Sequence, residues 1–180
     1  MPIEKRQRFV SEFSLSQYDA DLLAADKDIA EFFEEVTKVS NSPKLSANWI
    51  MGELSAELNN ENLNIKESKV SSNKLGQLIS RIEDGTISGK IAKDIFEKIW
   101  TTGKEVDDII KEEGLEQVTD DKEIELMIDE VIENNPQQLE QYRSGKDRLF
   151  GFFVGQVMKA SQGKANPKQV NDILKSKLEK

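Results

Sequence analysis

Apolar residues recur every three to four positions along nearly the whole chain, the spacing of amphipathic helices, and no segment alternates with a period of two. Ser14 followed by Gln17 has the form of a capping box opening a first short helix. Ile29, Phe32, Phe33, Val36 and Val39 form the apolar face of a second, which the Asn41-Ser42-Pro43 break ends. Pro43 suits the first turn of the next helix, where Ala47, Ile50, Met51, Leu54 and Leu58 predict one continuous stripe. The asparagine-rich stretch 59–68 reads as a loop. Ser71 or Ser72 then opens a helix carrying Leu75, Leu78, Ile79 and Ile82, stopped at Asp84-Gly85. Ser88 opens another with Ile91, Ile95, Phe96 and Ile99, ending at Gly103, and Val106, Ile109 and Ile110 mark a short helix ending at Gly114.

A boundary falls at about Leu115 to Thr119. Beyond it, Asp120 with Glu123 opens a helix carrying Ile124, Met127, Ile128 and Val131. Asn135-Pro136 starts another, and Asn166-Pro167 starts the last, with Val170, Ile173, Leu174 and Leu178 inward. The pattern predicts an all-α chain of two small helical bundles in series, residues 1–115 and 116–180, with strands absent or trivial.

One stretch departs from generic helix. Between Gly145 and Pro167, Leu149, Phe153 and Val157 repeat every four residues, and Phe150, Val154 and Met158 do so on the adjoining stripe. Two adjoining apolar stripes predict a mostly buried helix. Gly151 and Gly155 sit one turn apart inside it, each costing about 1 kcal/mol against alanine. That cost predicts a close approach by another backbone, either a neighbouring helix or a nucleic acid.

Composition narrows the chemistry. The 180 residues contain no cysteine and no histidine, which excludes disulfides, thiolate metal sites and nucleophile–histidine triads. The net charge is −9, but it is unevenly spread. Gln117 to Gln141 holds one lysine against eight acids, whereas Tyr142 to Lys180 holds nine Lys/Arg against three acids. A basic last quarter in an acidic chain is a nucleic-acid signal that the overall sum conceals. Lys5, Arg6 and Arg8 form a second small basic cluster. No apolar run approaches the roughly 20 residues needed to span a bilayer. The amino-terminal residues lack the apolar core of a secretory signal, so a cytoplasmic location without membrane partners is expected. Gly85-Thr-Ile-Ser-Gly-Lys-Ile superficially suggests a phosphate loop. It is one residue short between the glycines, lacks the Ser/Thr after lysine and follows no strand. Carboxylates could take Mg²⁺ singly, but none has calcium-loop spacing. No catalytic residue and no metal site is expected.

The wording of the Gly-rich stretch carries a resemblance. Gly-Lys…Phe-Val-Gly-Gln-Val-Met-Lys-Ala…Gly-Lys-Ala-Asn-Pro resembles the carboxy-terminal tail of the B subunits of bacterial aspartyl/glutamyl-tRNA amidotransferases, shared with small YqeY-like proteins. Tyr18-Asp19-Ala20, Ala47-Asn48-Trp49-Ile50, Gly85-Thr86-Ile87-Ser88, Ala92-Lys93, Gly114-Leu115, Asp120 and Asn135-Pro136 fit in the same order. The resemblance implies part of an ATP-dependent enzyme that converts Glu-tRNA(Gln) or Asp-tRNA(Asn) to Gln-tRNA(Gln) or Asn-tRNA(Asn). It implies that the catalytic domain, with its ATP and Mg²⁺ sites, lies outside this chain. The partners it implies are tRNA(Gln) and/or tRNA(Asn) and the other amidotransferase subunits, and the role it implies here is tRNA binding.

RNA duplex is read through shape, phosphates and 2′-hydroxyls, which calls for cations and backbone N–H groups. Lys159, Lys164 and Lys168 flank the start of the last helix, where unpaired N–H groups favour phosphate. The candidate tRNA contacts are therefore Lys159, Gly163, Lys164, Asn166 and Lys168, with Gly163 allowing close approach and Asn166 doubling as a cap. Lys146 and Arg148 are second candidates, with Asp147 placed to neutralise either. Trp49 and Trp100 are assigned to the core. The competing class is an acidic helical protein-interaction module whose basic tail is only a solvated rim.

Overall fold

The computed structural model describes residues 2–180, and among them the regular structure is helical. The backbone separates into two compact units, Met1–Gly114 and Leu115–Lys180.

The first unit contains α1 (Pro2–Phe13), α2 (Gln17–Ala24), α3 (Lys27–Ser40), α4 (Pro43–Trp49), α5 (Ser55–Asn60), α6 (Ser72–Glu83), α7 (Gly89–Thr102) and α8 (Val106–Glu113). Its core is built from Phe9, Leu23, Phe33, Leu54, Leu78 and Ile95, each at most 1% exposed. α3 runs against α6, and Gly76 makes that contact possible: a Cβ there would lie 2.5 Å from Val39 Cβ and 3.1 Å from Val36 O. Trp49 and Trp100 are both 6% exposed, and each packs against Phe96. The Trp100 Nε1–H donates to Glu61 (2.8 Å), and Lys69 both pairs with Glu61 (2.5 Å) and lies over the Trp100 ring. The hydrogen bond from Lys69, then that from Trp100, holds the Glu61 carboxyl below its ordinary pKa.

Four local readings of the sequence need correction. Residues 2–13 form a helix, α1, where only a basic cluster was expected. Its signal is short: Phe9 and Phe13 close on Phe33 with ring centroids 5.0 and 5.5 Å away. Lys5 and Arg8 both pair with Glu34, and Arg6 pairs with Asp21, so that basic cluster is bound to the unit's own acids. The cap of α2 is Ser16, which accepts from Asp19 N–H, while Ser14 adopts a left-handed φ of 53°. The stripe from Ala47 to Leu58 is interrupted by a π-helical turn at Ile50–Leu54, closed by Ser55 Oγ donating to Ile50 O (2.7 Å). The stretch 59–68 is a loop only in part. Ile65–Glu67 forms a 3₁₀ turn with a reciprocal Asn64/Glu67 cap, and Ile65 is buried.

The second unit contains α9 (Asp121–Asn134), α10 (Pro136–Arg143), α11 (Leu149–Ala160) and α12 (Pro167–Leu178). Ile124, Ile128 and Val131 of α9 meet Phe153 and Val157 of α11 and Val170, Leu174 and Leu178 of α12 in one core. Asp120 caps α9 by accepting from Lys122 and Glu123 N–H. Before α9, Val118 forms a single parallel backbone bridge with Ala165.

Candidate nucleic-acid interface

Of the two apolar stripes of α11, the Leu149–Phe153–Val157 stripe faces the core, with Phe153 and Val157 fully buried. Phe150, Val154 and Met158 are half-buried at its margin. The helix is therefore a surface helix, and not the mostly buried one expected. Its glycines do not serve helix packing either. Gly151 and Gly155 are exposed, and a Cβ at either would meet nothing within 4 Å. Arg148, Gly151, Gly155 and Lys159 follow helical spacing along one side. A flat glycine floor thus lies between two exposed cations about 16 Å apart along the axis, at 1.5 Å of rise per residue.

After α11 the chain turns sharply. Gly163 N–H donates to Met158 O (2.8 Å), and Gly163 takes a φ of +77°, a conformation that glycine adopts without strain. Ser161, 5% exposed, donates to Met158 O (3.0 Å) and accepts from Ala165 N–H (3.1 Å). Val118 N–H donates to Lys164 O (2.6 Å), and Asn166 N–H donates to Val118 O (3.1 Å). These bonds fix the turn that carries Lys159, Lys164 and Lys168. Lys159 and Lys168 are exposed, Lys164 and Asn166 are half-buried, and Gly163 is buried. Gly163 therefore shapes the turn and does not offer its own backbone to a ligand.

The start of α12 is a weaker phosphate site than its sequence suggests. Pro167 has no N–H, and Asn166 Oδ1 accepts from Gln169 N–H (3.1 Å). Among the described residues, Lys168 N–H is the one donor of the first turn left uncommitted. The positive charge at this turn is therefore carried mainly by side chains.

Those cations are unpaired. Among the described residues, no ion pair involves Lys146, Arg148, Lys159, Lys164 or Lys168, and Asp147 neutralises neither of its neighbours. Of the second unit's described Lys and Arg residues only Lys177 is held, by Asp129 (2.6 Å) and Glu125 (2.8 Å), which raise its pKa in that order. The first unit is the opposite. Arg81 of α6 holds Asp107 of α8 through two bonds of 2.8 and 2.9 Å and also meets Asp84 at 3.0 Å. Lys66, Lys93, Lys98 and Lys104 likewise each have a carboxylate partner.

Lys146 and Arg148 sit in the turn between α10 and α11, apart in sequence from the 159–168 group and on the far end of α11. Sequence periodicity gave no signal for two further groups: Gln169, whose Nε2 donates to Thr119 O (2.9 Å) and Asp121 Oδ1 (2.8 Å), and Val118 itself. Both act through partners distant in sequence.

Elsewhere, an apolar recess beside the π turn is lined by Leu22, Ile29, Ile50, Met51 and Leu58. Its two carboxylates are committed, Asp26 to capping α3 and Asp28 to Lys66. Among the described residues, no group of three potential metal-ligating side chains gathers, and no helix is long and apolar enough to cross a membrane.

A family model described as the GatB domain matches residues 31–178. The B subunit of the aspartyl/glutamyl-tRNA(Asn/Gln) amidotransferase of Thioalkalivibrio sulfidiphilus is 57% identical over 180 residues, covering 99% of this chain and 38% of the relative. The corresponding protein of Nitrosococcus oceani is 56% identical over 179 residues, with the same coverage of 99% and 38%. That of Coxiella burnetii is 52% identical over 180 residues, again covering 99% of this chain and 38% of the relative. The chain thus spans about 38% of the length of the curated relatives it matches.

Proposed function

The chain belongs to the GatB domain family, and on that premise we propose that it is the tRNA-recognition region of the B subunit of an aspartyl/glutamyl-tRNA(Asn/Gln) amidotransferase. In this reading the parent enzyme converts Glu-tRNA(Gln) or Asp-tRNA(Asn) to the amidated product. ATP and Mg²⁺ act in a part of the parent protein outside this chain, and the remaining subunits complete the complex. Residues 1–115 and 116–180 act as two helical domains, of which the second grips tRNA.

The observation that carries the proposal is the contrast in ion pairing. Exposed cations without carboxylate partners are free to exchange their counter-ions for phosphates, the main source of affinity for a nucleic-acid backbone. Lys159, Lys164 and Lys168 present charge around one turn, and Arg148 and Lys146 present it at the other end of α11. Between them, Gly151 and Gly155 let a sugar–phosphate strand lie against the helix with no side chain to hold it off. Contacts of this kind position an RNA by shape and carry little base information. Asn166 contributes its cap, and Gly163 the shape of the turn.

The first unit fits a different role. Its cations are largely committed, while Tyr18 (71% exposed) and Leu22 (45%) lie one turn apart on α2. That apolar pair favours contact with other parts of the amidotransferase.

The test is the double variant Lys164→Ala/Lys168→Ala, titrated with a tRNA(Gln) transcript over a range of salt. Weaker binding is expected, with a log K against log salt slope reduced by roughly 0.7–0.9 for each phosphate no longer neutralised. An unchanged slope would remove both lysines from the interface.

A further inference from the structure

The segment that leads from the first unit into the second is hydrogen-bonded to the loop that carries the candidate RNA contacts. Val118 N–H donates to Lys164 O at 2.6 Å, and Asn166 N–H donates to Val118 O at 3.1 Å. The residue between, Ala165, is fully buried, and Val118 packs against the same core. In an extended segment successive side chains point to opposite sides. Burying Ala165 therefore places the side chains of Lys164 and Asn166, both half-buried, on the other side of the segment, and the pairing with Val118 fixes this register. Gln169 adds a second fastening. Its own N–H is capped by Asn166 (3.1 Å), and its Nε2 reaches back to Thr119 O (2.9 Å) and Asp121 Oδ1 (2.8 Å).

We propose that the 118–119 segment and the Gln169 side chain form a strap that positions Lys164 and Lys168 for RNA, and that RNA binding in turn tightens the strap. This rests on the tRNA-binding reading above. Opening the strap frees the backbone of Lys164 and Asn166, so the open state presents its cations without fixed geometry. A ligand that binds the closed state better must shift the equilibrium towards it, and whatever closes the strap must raise the affinity for that ligand by the same factor. Gln169 and Val118 are positioning residues. Neither needs to touch RNA.

The geometry singles out the amides to watch. In the closed strap Val118 N–H and Asn166 N–H are hydrogen-bonded, and they exchange with solvent only when it opens. The experiment measures hydrogen exchange of these two amides in the 180-residue chain, alone and saturated with an unmodified tRNA(Gln) transcript, with the amides of Ile124 and Ile128 in α9 as internal references. It also measures transcript affinity and its salt dependence for Gln169→Met, which removes the Nε2 donor and retains the side-chain length. The expected result is at least about a fivefold slowing at Val118 and Asn166 on binding, beyond any change in α9. Gln169→Met should bind severalfold more weakly with an unchanged salt slope, because every cation is still present, and should exchange faster at Val118. A purely structural role would leave the ratio of free to bound exchange untouched. Salt-sensitive binding with no selective slowing at Val118, or with Gln169→Met binding as the parent does, overturns the strap and leaves the tRNA-binding reading standing. Failure of the parent chain to bind the transcript overturns both.

Discussion

Gly76 and the pair Gly151/Gly155 occupy opposite physical situations. At Gly76 an added Cβ would meet Val39 at 2.5 Å, so the small residue is required by helix contact. At Gly151 and Gly155 the space is open, and glycine carries only its cost to the helix. Gly76→Ala is accordingly expected to destabilise the chain by about 1–3 kcal/mol through overpacking. Gly151→Ala and Gly155→Ala should each stabilise it, by up to about 1 kcal/mol, yet weaken tRNA binding. Thermal melts and transcript titrations of the three variants measure both properties. Gain of stability without loss of affinity at positions 151 and 155 would mean that no ligand lies on that floor. These two classes of glycine look identical in the sequence, since each sits beside apolar residues inside a predicted helix. Only the distance to the nearest neighbour separates them.

Among the helices, capping chemistry was legible at several starts and misplaced at α2. Ser88, Asp120 and Asn166 each cap the helix that follows them, because a cap depends on residues two or three positions away. Some of what the sequence hid depends on partners far along the chain, while the Ser16 cap, the Asn64/Glu67 box and the π turn are local features that periodicity does not encode. The α1 helix is held by Phe33, Glu34 and Asp21, and the π turn by a bond that no periodicity encodes. The candidate site shows the same division. Its cations were legible as a local excess of charge, whereas Gln169 and Val118 were not, since their partners lie tens of residues away. The Arg81–Asp107 pair joins α6 to α8 across 26 residues and makes a pH-dependent link. The hydrogen bond from Arg81 holds the Asp107 carboxyl below its ordinary pKa. The pair's contribution is therefore complete above about pH 4, the range of an unfolded aspartate, and falls away as pH drops through the lowered value. Both groups are more than a third exposed, which limits the contribution to about 1 kcal/mol or less. Asp107→Asn should lower the urea midpoint slightly at about pH 7 and leave it unchanged near about pH 2. An equal deficit at both values would assign the effect to packing.

At the scale of the molecule, the formal charge of −9 misdescribes the surface. The chain does carry more acids than bases, but in the first unit Lys5, Arg6, Arg8, Lys66, Arg81 and Lys104 are among the cations held by its own carboxylates. In the second unit Lys146, Arg148, Lys159, Lys164 and Lys168 carry no such partners among the described residues. Net charge governs solubility and long-range steering, and the distribution of unpaired cations governs where a polyanion can sit. The sequence located the basic quarter, but it could not tell which cations were already committed. Whether these helices recognise tRNA is decided by equilibrium binding of the 180-residue chain to unmodified tRNA(Gln) transcript, against a non-cognate elongator tRNA, at two salt concentrations. Salt-sensitive binding with a preference for the cognate transcript is the expected result. A folded sample that leaves both transcripts unbound at low salt would mean that this region does not bind tRNA.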